Sequence, residues 1–157
     1  MSLIFTANLV LSGTPWSPRG NFTIEIFNDK IYLMGGNDDN FAYNQIWTSI
    51  NGIDWFQNPA PQWGPRAELV STVFNNKIWI SGGHNFDYTE SYKDVWSSVD
   101  GIFWERTIQD GGWEGADKKG FLSYNGKLWI FGGYSFSEPS TSSNDVWSSA
   151  NGIAWQM

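Results

Sequence analysis

The sequence repeats itself three times, and this repeat limits what the chain can fold into more than any other feature. A Gly-Gly pair recurs in steps of 47 and 50 residues, at 35–36, 82–83 and 132–133. An Ile-Trp or Val-Trp pair follows at 46–47, 95–96 and 146–147, and a Gly-Ile-x-Trp segment at 52–55, 101–104 and 152–155. A period of about 50 residues is typical of solenoids and propellers, in which each repeat is one structural unit.

All 11 tryptophans of the 157-residue chain fall on registers of this repeat. The registers are Trp47, Trp96 and Trp147; Trp55, Trp104 and Trp155; Trp79 and Trp129, with Tyr32 in the first copy; and Trp16, Trp63 and Trp113. A ring that recurs on a strand of every unit is expected to pack between units rather than to form one site. The last register lies in the connections ahead of each unit, so we expect these three rings to be partly exposed, as loop packing or as platforms for a ligand.

The residue pattern within each unit predicts four short antiparallel strands, a to d. Two-residue loops of Asn, Asp or Gly join strands a and b, and Asn-Gly or Asp-Gly joins strands c and d, because these residues tolerate the positive φ of tight hairpins. No segment shows a sustained 3.6-residue apolar period, so we expect almost no helix. The units are placed at 20–58, 67–107 and 117–157, and an N-terminal strand at 3–11 occupies the strand-d register ahead of the first unit.

The combination of an apolar run ending in Gly-Gly, the Asn-Asp-Val-Trp segment at 144–147, a strand-d tryptophan and Pro-Arg at 18–19 and 65–66 resembles the kelch repeat. The resemblance covers residues 15–157 and implies an all-β fold, a β-propeller of four-stranded blades whose a strands line a central channel. Three blades do not close a ring, since propellers use about 4–8. We expect a homodimer in which two chains pair head to tail as a six-bladed ring.

Two alternatives to this arrangement stay open at this point. The chain could be a fragment of a longer propeller, or it could pair differently. It is also open whether the N-terminal strand or the last strand of the chain completes the third blade.

In kelch-like propellers the residues after Gly-Gly and those that open strand a face a pocket at one end of the channel. Here these residues are Asn37, His84 and Tyr134, and Asn21, Glu68 and Lys118. They differ from unit to unit while their surroundings repeat, as a single asymmetric site requires and as drift at solvent positions also produces. Arg19 and Arg66 precede strand a near the channel mouth, where they bind a ligand or hold a local hydrogen-bond network.

Composition excludes several kinds of chemistry. The absence of Cys excludes disulfides, thiolate metal sites and thiol catalysis, and a single histidine excludes a multi-histidine metal site. Sixteen acidic residues against nine Lys and Arg argue against a nucleic-acid partner. No nucleophile, phosphate-loop or zinc-hydrolase motif occurs, and no apolar segment is long enough to span a membrane. We therefore expect no cofactor, metal or membrane partner, and the compartment stays open.

The sequence favours a non-catalytic binding module that recognises a protein or glycan partner at the loop face around the channel mouth. The alternative is a sugar-processing enzyme, such as a sialate mutarotase-like or glycosidase-like propeller, with Glu68, His84 and Arg66 as its candidate catalytic residues. Convergence of these three side chains around a closed cavity would favour the enzyme, and a flat, open mouth would favour the binding module.

Overall fold

The computed structural model describes residues 13–115, 117–135 and 140–157 of the chain. Within these ranges the chain forms eleven β-strands joined by turns, without a helix. All neighbouring strands pair in the antiparallel sense. The all-β expectation is therefore confirmed, while the strand expected at 3–11 lies outside the described residues.

The strands form three separate sheets in chain order. The first sheet contains β1 (Gly20–Phe27), β2 (Lys30–Asn37), β3 (Ile46–Ser49) and β4 (Phe56–Gln57). The second sheet contains β5 (Val70–Phe74), β6 (Lys77–Ser81), β7 (Val95–Ser98) and β8 (Glu105–Ile108). The third sheet contains β9 (Gly120–Tyr124), β10 (Lys127–Ser135) and β11 (Thr141–Ser149). A bridge between Ser148 and Gln156 extends the third sheet where a fourth strand is expected.

Each c–d turn is held by side chains that bond to its own backbone. In the first sheet, Ser49 Oγ accepts a hydrogen bond from the Gly52 amide at 2.8 Å, and Asn51 Oδ1 accepts one from the Ile53 amide at 2.9 Å. The same bonds recur in the turns that follow Ser98 and Ser149. The Asn-Gly and Asp-Gly pairs thus mark turns in which a side chain replaces a backbone acceptor.

Successive sheets pack through an aromatic ring that enters the c–d turn of the next sheet. A Cβ atom added to Gly101 would lie 2.3 Å from the buried ring of Tyr32, and one added to Gly152 would lie 2.1 Å from the ring of Trp79. Glycine is required at both turns because the ring occupies the space of a side chain. One apolar cluster fills the space between the first and second sheets and another fills the space between the second and third.

The tryptophans ahead of each sheet pack against the strand-d tryptophan of their own sheet. The ring centroids lie 4.8 Å apart for Trp16 and Trp55, 6.0 Å for Trp63 and Trp104, and 5.4 Å for Trp113 and Trp155. Trp16 is partly exposed as expected. The expectation is wrong for Trp63 and Trp113, which are each 1% exposed because the edge-on partner ring and the next strands cover them. Both are core residues, so neither offers a platform to a ligand.

Candidate functional site

The candidate positions lie where the a and b strands end. His84 pairs with Ala67 through two backbone hydrogen bonds of 3.0 Å, and Tyr134 pairs with Asp117 in the same way. The residue that opens strand a, which follows Ala67 in the second unit and Asp117 in the third, has a positive φ in each unit. The φ values are 55° at Asn21, 58° at Glu68 and 51° at Lys118. Glutamate and lysine rarely adopt this conformation. Its presence in all three sheets means that the backbone geometry of the repeat imposes it.

Glu68 is the centre of a charged cluster that joins the second and third sheets. Its Oε2 lies 3.7 Å from Nε2 of His84, and its Oε1 lies 3.4 Å from Nζ of Lys118. The exposed fractions of the side chains are 2% for His84, 14% for Glu68 and 59% for Lys118. The carboxyl group therefore stands between a buried imidazole and a solvated ammonium group.

The hydrogen bonding of His84 fixes which ring nitrogen faces Glu68. Nδ1 of His84 lies 2.7 Å from the carbonyl oxygen of Asn85, and only a protonated Nδ1 can donate to a carbonyl. In the neutral ring Nε2 is then the unprotonated nitrogen, and it is the atom that points at the carboxyl group. At 3.7 Å the two atoms lie beyond hydrogen-bond distance, and they form an ion pair only when the ring carries a proton on Nε2 as well. A carboxyl group beside an imidazole is a combination that general acid–base catalysis uses.

Tyr88 covers the imidazole from the solvent side. The two rings are stacked, with centroids 4.2 Å apart and planes at 22°. Tyr88 is 51% exposed and has a φ of 58°, which is rare for a bulky side chain. The turn is tied down by Asn85, whose carbonyl accepts the Tyr88 amide and whose Oδ1 accepts the Glu90 amide. An exposed aromatic ring stacked on this imidazole can bind the apolar face of a small ligand.

Two buried charged residues of the third sheet lie behind the cluster. Asp117 accepts a hydrogen bond from Ser91 Oγ at 2.9 Å, and burial raises the pKa of its carboxyl group although that bond opposes the shift. Lys119 places Nζ 4.9 Å from the centroid of the Trp113 ring. Burial lowers the pKa of Lys119 from 10.5 to about 7, against the attraction of Asp94 and Asp117. The interface between these sheets is therefore unusually rich in buried charge.

Arg66 forms no hydrogen bond with Glu68 or His84 in the described structure. Its guanidinium donates to both carboxylate oxygens of Asp94, at 2.7 and 3.0 Å, and to the Gly82 carbonyl at 3.2 Å. It also lies 4.1 Å from the ring centroid of Tyr92. Arg66 is buried beside a separate cleft of about 580 Å³, whose described lining includes Tyr92 and Asp94 and neither Glu68 nor His84. This placement matches the local-network interpretation.

Arg19 occupies the same position in the first sheet. It donates to Gln45 Oε1 at 2.7 Å and stacks over Tyr43 at 3.8 Å. Nearby, Asn21 donates through Nδ2 to Asn37 Oδ1 at 2.8 Å. Arg19, Asn21 and Asn37 line a cleft of about 380 Å³. The cleft lies at the same end of the strands as Glu68, whose amide donates to the Asn21 carbonyl at 2.9 Å. The strand-opening residues of the first two sheets are thus adjacent, as the repeat register predicts.

Three residues of this region were not singled out from the sequence. Tyr88 lies in a b–c loop whose length differs from unit to unit, so no register marks it. Asp117 and Lys119 flank the register position Lys118. Lys119 offered a signal, because Phe22 and Leu69 stand at its position in the other two units.

No group of three or more His, Cys, Asp or Glu side chains could hold a metal ion within 13–115, 117–135 and 140–157. Over the same ranges, no helix has the length and apolar character needed to cross a membrane.

Comparison with known proteins identifies the fold. The solved structure of YjhT matches this chain with a TM-score of 0.77 at 16% sequence identity, over 93% of this chain and 53% of that one. The chain therefore spans about half the length of the structure it matches. Together with the antiparallel sheets, this likeness shows an all-β, propeller-like fold. No protein-family model matches the sequence, and no curated protein matches it either.

Proposed function

We propose that this chain acts on a sugar, using Glu68 and His84 for acid–base chemistry at the end of the sheets where the b–c loops lie. The observation that carries the proposal is the 3.7 Å approach of the two side chains beneath the half-exposed ring of Tyr88. Proton transfer by a positioned side chain accelerates reactions by about 10²–10⁴-fold. The proposal favours the sugar-processing alternative over the non-catalytic binding module, and it rests on Glu68 and His84 alone, since Arg66 is bonded to Asp94 instead.

The reaction that needs least beyond this pair is the opening and closing of a reducing sugar's ring. A base takes the proton of the anomeric hydroxyl as the bond between the anomeric carbon and the ring oxygen breaks, and an acid gives a proton to that oxygen. Closure from the other face returns both protons and produces the other anomer. Because nothing is oxidised or reduced and no group is transferred, one carboxyl group is sufficient, if it takes the anomeric proton and then gives it to the ring oxygen.

In this proposal each side chain has a role that fits its exposure. The partly exposed carboxyl of Glu68 is the group that reaches the sugar, and the buried imidazole of His84 is a positioning residue that exchanges a proton with it. Tyr88 stacks on the sugar ring. The exposed ammonium of Lys118 would pair with a carboxylate substituent, which favours an acidic sugar such as sialate.

Glycoside hydrolysis is less well supported by the carboxyl groups of this region. Most glycosidases need two carboxyl groups that both reach the substrate, about 5–9.5 Å apart. Asp117 is fully buried and bonded to Ser91, so it does not provide Glu68 with a second accessible carboxyl group. Ring opening therefore remains the proposed reaction.

NMR exchange spectroscopy of N-acetylneuraminate and glucose anomers tests this function. The wild-type chain should accelerate exchange between anomers, and Glu68→Gln should reduce the acceleration by about 100-fold or more. Glu105→Gln, which changes an exposed carboxyl group on the outer strand β8, should keep it. His84→Gln should alter the pH profile of the rate, which a purely structural role would not. No acceleration with any reducing sugar, or an unaffected Glu68→Gln variant, would refute the proposal.

A second candidate function is the non-catalytic recognition of a glycan or protein. Exposed aromatic rings in the b–c loops favour it, namely Phe41, Phe86 and Tyr88. A glycan array with Phe41→Ala and Phe86→Ala would test it. Phe103→Ala is the control, because Phe103 is also exposed but lies in a c–d turn at the opposite end of the strands. Binding that depends on Phe41 or Phe86 without any acceleration of exchange would favour this function over the first.

A further inference from the structure

The contacts between sheets within the chain follow one repeated rule. A ring on strand b of one sheet enters the glycine turn of the next sheet, as Tyr32 does at Gly101 and Trp79 does at Gly152. In the same repeat register the next ring is Trp129 and the remaining glycine is Gly52. Among the described residues, this rule therefore leaves one ring on the third sheet and one glycine turn on the first sheet without their counterparts.

The turn at Gly52 and the ring of Trp129 both have uncovered surface in the described structure. A Cβ atom added to Gly52 would meet only Ile31 Cδ1, at 3.8 Å, although the turn has the same form as those at Gly101 and Gly152. Trp129 is only partly buried, whereas its counterparts Tyr32 and Trp79 are each 3% exposed. The turn at Gly52 therefore has room for a ring, and Trp129 has ring surface to bury.

The strand-a residues on these two faces are likewise more exposed than residues that lie between two sheets. Tyr124 is 70% exposed, while Phe27 and Phe74 at its register are 4% and 7% exposed. On the first sheet, Phe22, Ile24 and Ile26 alternate along β1 and are all exposed. Soluble proteins rarely leave contiguous apolar faces of this kind in water.

A second pair of partners points the same way. Leu69 of the second sheet packs on Gly35 of the first, where an added Cβ would lie 2.7 Å from its Cδ2. Phe22 is the register equivalent of Leu69, and Gly132 is the equivalent of Gly35. A Cβ added to Gly132 would meet only backbone atoms of Ser143 in its own sheet. The open face of the third sheet thus presents Trp129 and Gly132. The first sheet of another molecule carries their matching partners, the turn at Gly52 and the side chain of Phe22.

We infer that two copies of this chain associate head to tail, with Trp129 of each copy seated in the turn at Gly52 of the other. The contact joins unlike surfaces, so one such contact leaves a free Trp129 and a free Gly52 turn at the two ends of the pair. A second identical contact uses both and closes a ring of six sheets with twofold symmetry. This inference does not depend on the proposed sugar chemistry.

Sedimentation velocity of the full chain tests the inference through three variants. The wild-type chain of 17.8 kDa should sediment as a dimer of about twice that mass. Gly52→Ala should raise the dimer dissociation constant by at least about 100-fold, because the new methyl group obstructs the Trp129 ring at both contacts. Gly112→Ala is the matched control, since Gly112 has a φ of +71° against +75° at Gly52 and its added Cβ meets nothing within 4 Å. Trp129→Ala should also yield monomers.

Mixing the Gly52→Ala and Trp129→Ala variants separates this contact from any other. One intact Trp129–Gly52 contact forms in the mixed pair, and the second places two small side chains together without a clash, so the mixture should regain dimers. Near-ultraviolet circular dichroism should show that each variant keeps its fold. A monomeric wild-type chain, a Gly52→Ala variant that stays dimeric, masses that grow beyond the dimer with concentration, or a mixture that fails to associate would each overturn the inference.

Discussion

Replacing Gly152 with alanine should destabilise the folded chain by about 2–4 kcal/mol. Gly152 has a φ of +73°, and an added Cβ would lie 2.1 and 2.2 Å from two atoms of the Trp79 ring. Left-handed backbone in alanine costs about 1 kcal/mol or more. The clash adds about 1–3 kcal/mol, because the buried ring is fixed by a 2.9 Å hydrogen bond from its Nε1 to the Phe74 carbonyl.

The same change at Gly112 isolates the steric part of this loss. Gly112 has nearly the same φ, +71°, and no atom lies within 4 Å of its added Cβ. Gly112→Ala should therefore cost about 1 kcal/mol, from the backbone alone. Chemical denaturation followed by far-ultraviolet circular dichroism, at one protein concentration, gives both free energies of unfolding.

A double variant identifies the ring as the cause. In a Trp79→Ala background the Gly152→Ala change should lose its steric cost and resemble Gly112→Ala, which is a coupling of about 1–3 kcal/mol. Equal denaturation midpoints for Gly152→Ala and Gly112→Ala in the wild-type background would refute the view that sheets are joined by rings seated in glycine turns.

Two further changes probe the buried charges between the second and third sheets. With a pKa of about 7 when folded and 10.5 when unfolded, Lys119 weakens folding fully below pH 7 and progressively less up to pH 10.5. Lys119→Met should therefore raise the free energy of unfolding at pH 6, by at most about 5 kcal/mol, and the gain should vanish near pH 10.5; a gain independent of pH would contradict this. Asp94→Asn should lower it by about 3–5 kcal/mol by leaving Arg66 without its carboxylate, whereas a loss no larger than that of Asp110→Asn, an exposed carboxylate, would count against this role.

The regular part of the fold could be predicted because its signals are local. Turn residues such as Asn125-Gly126 adopt the positive φ that their identity favours, so the repeat places the hairpins and hence the strands. The exposure of Trp63 and Trp113 could not be predicted in the same way. Each is covered by a tryptophan more than 40 residues away in the chain, and the periodicity gives the position of a ring but not what lies against it.

The candidate site was predictable in its positions and less so in its chemistry. The register places Glu68 next to His84 because both lie at the end of one hairpin. It does not reveal that Tyr88 covers the imidazole, since a loop of unequal length sets that contact. The bond from Arg66 to Asp94 does follow the register, because Arg19 bonds to Gln45 at the same positions of the first unit. The residues that differ between repeats therefore required three-dimensional contacts before a role could be assigned.

The central claim is that the unprotonated Nε2 of a neutral His84 faces the carboxyl group of Glu68. His84 is the single histidine of the chain, so long-range ¹H–¹⁵N NMR gives one set of imidazole signals. The neutral ring should carry its proton on Nδ1, bonded to the Asn85 carbonyl, and the Nε2 shift should change in Glu68→Gln. A neutral ring protonated on Nε2, with a shift that Glu68→Gln leaves unaltered, would contradict the account.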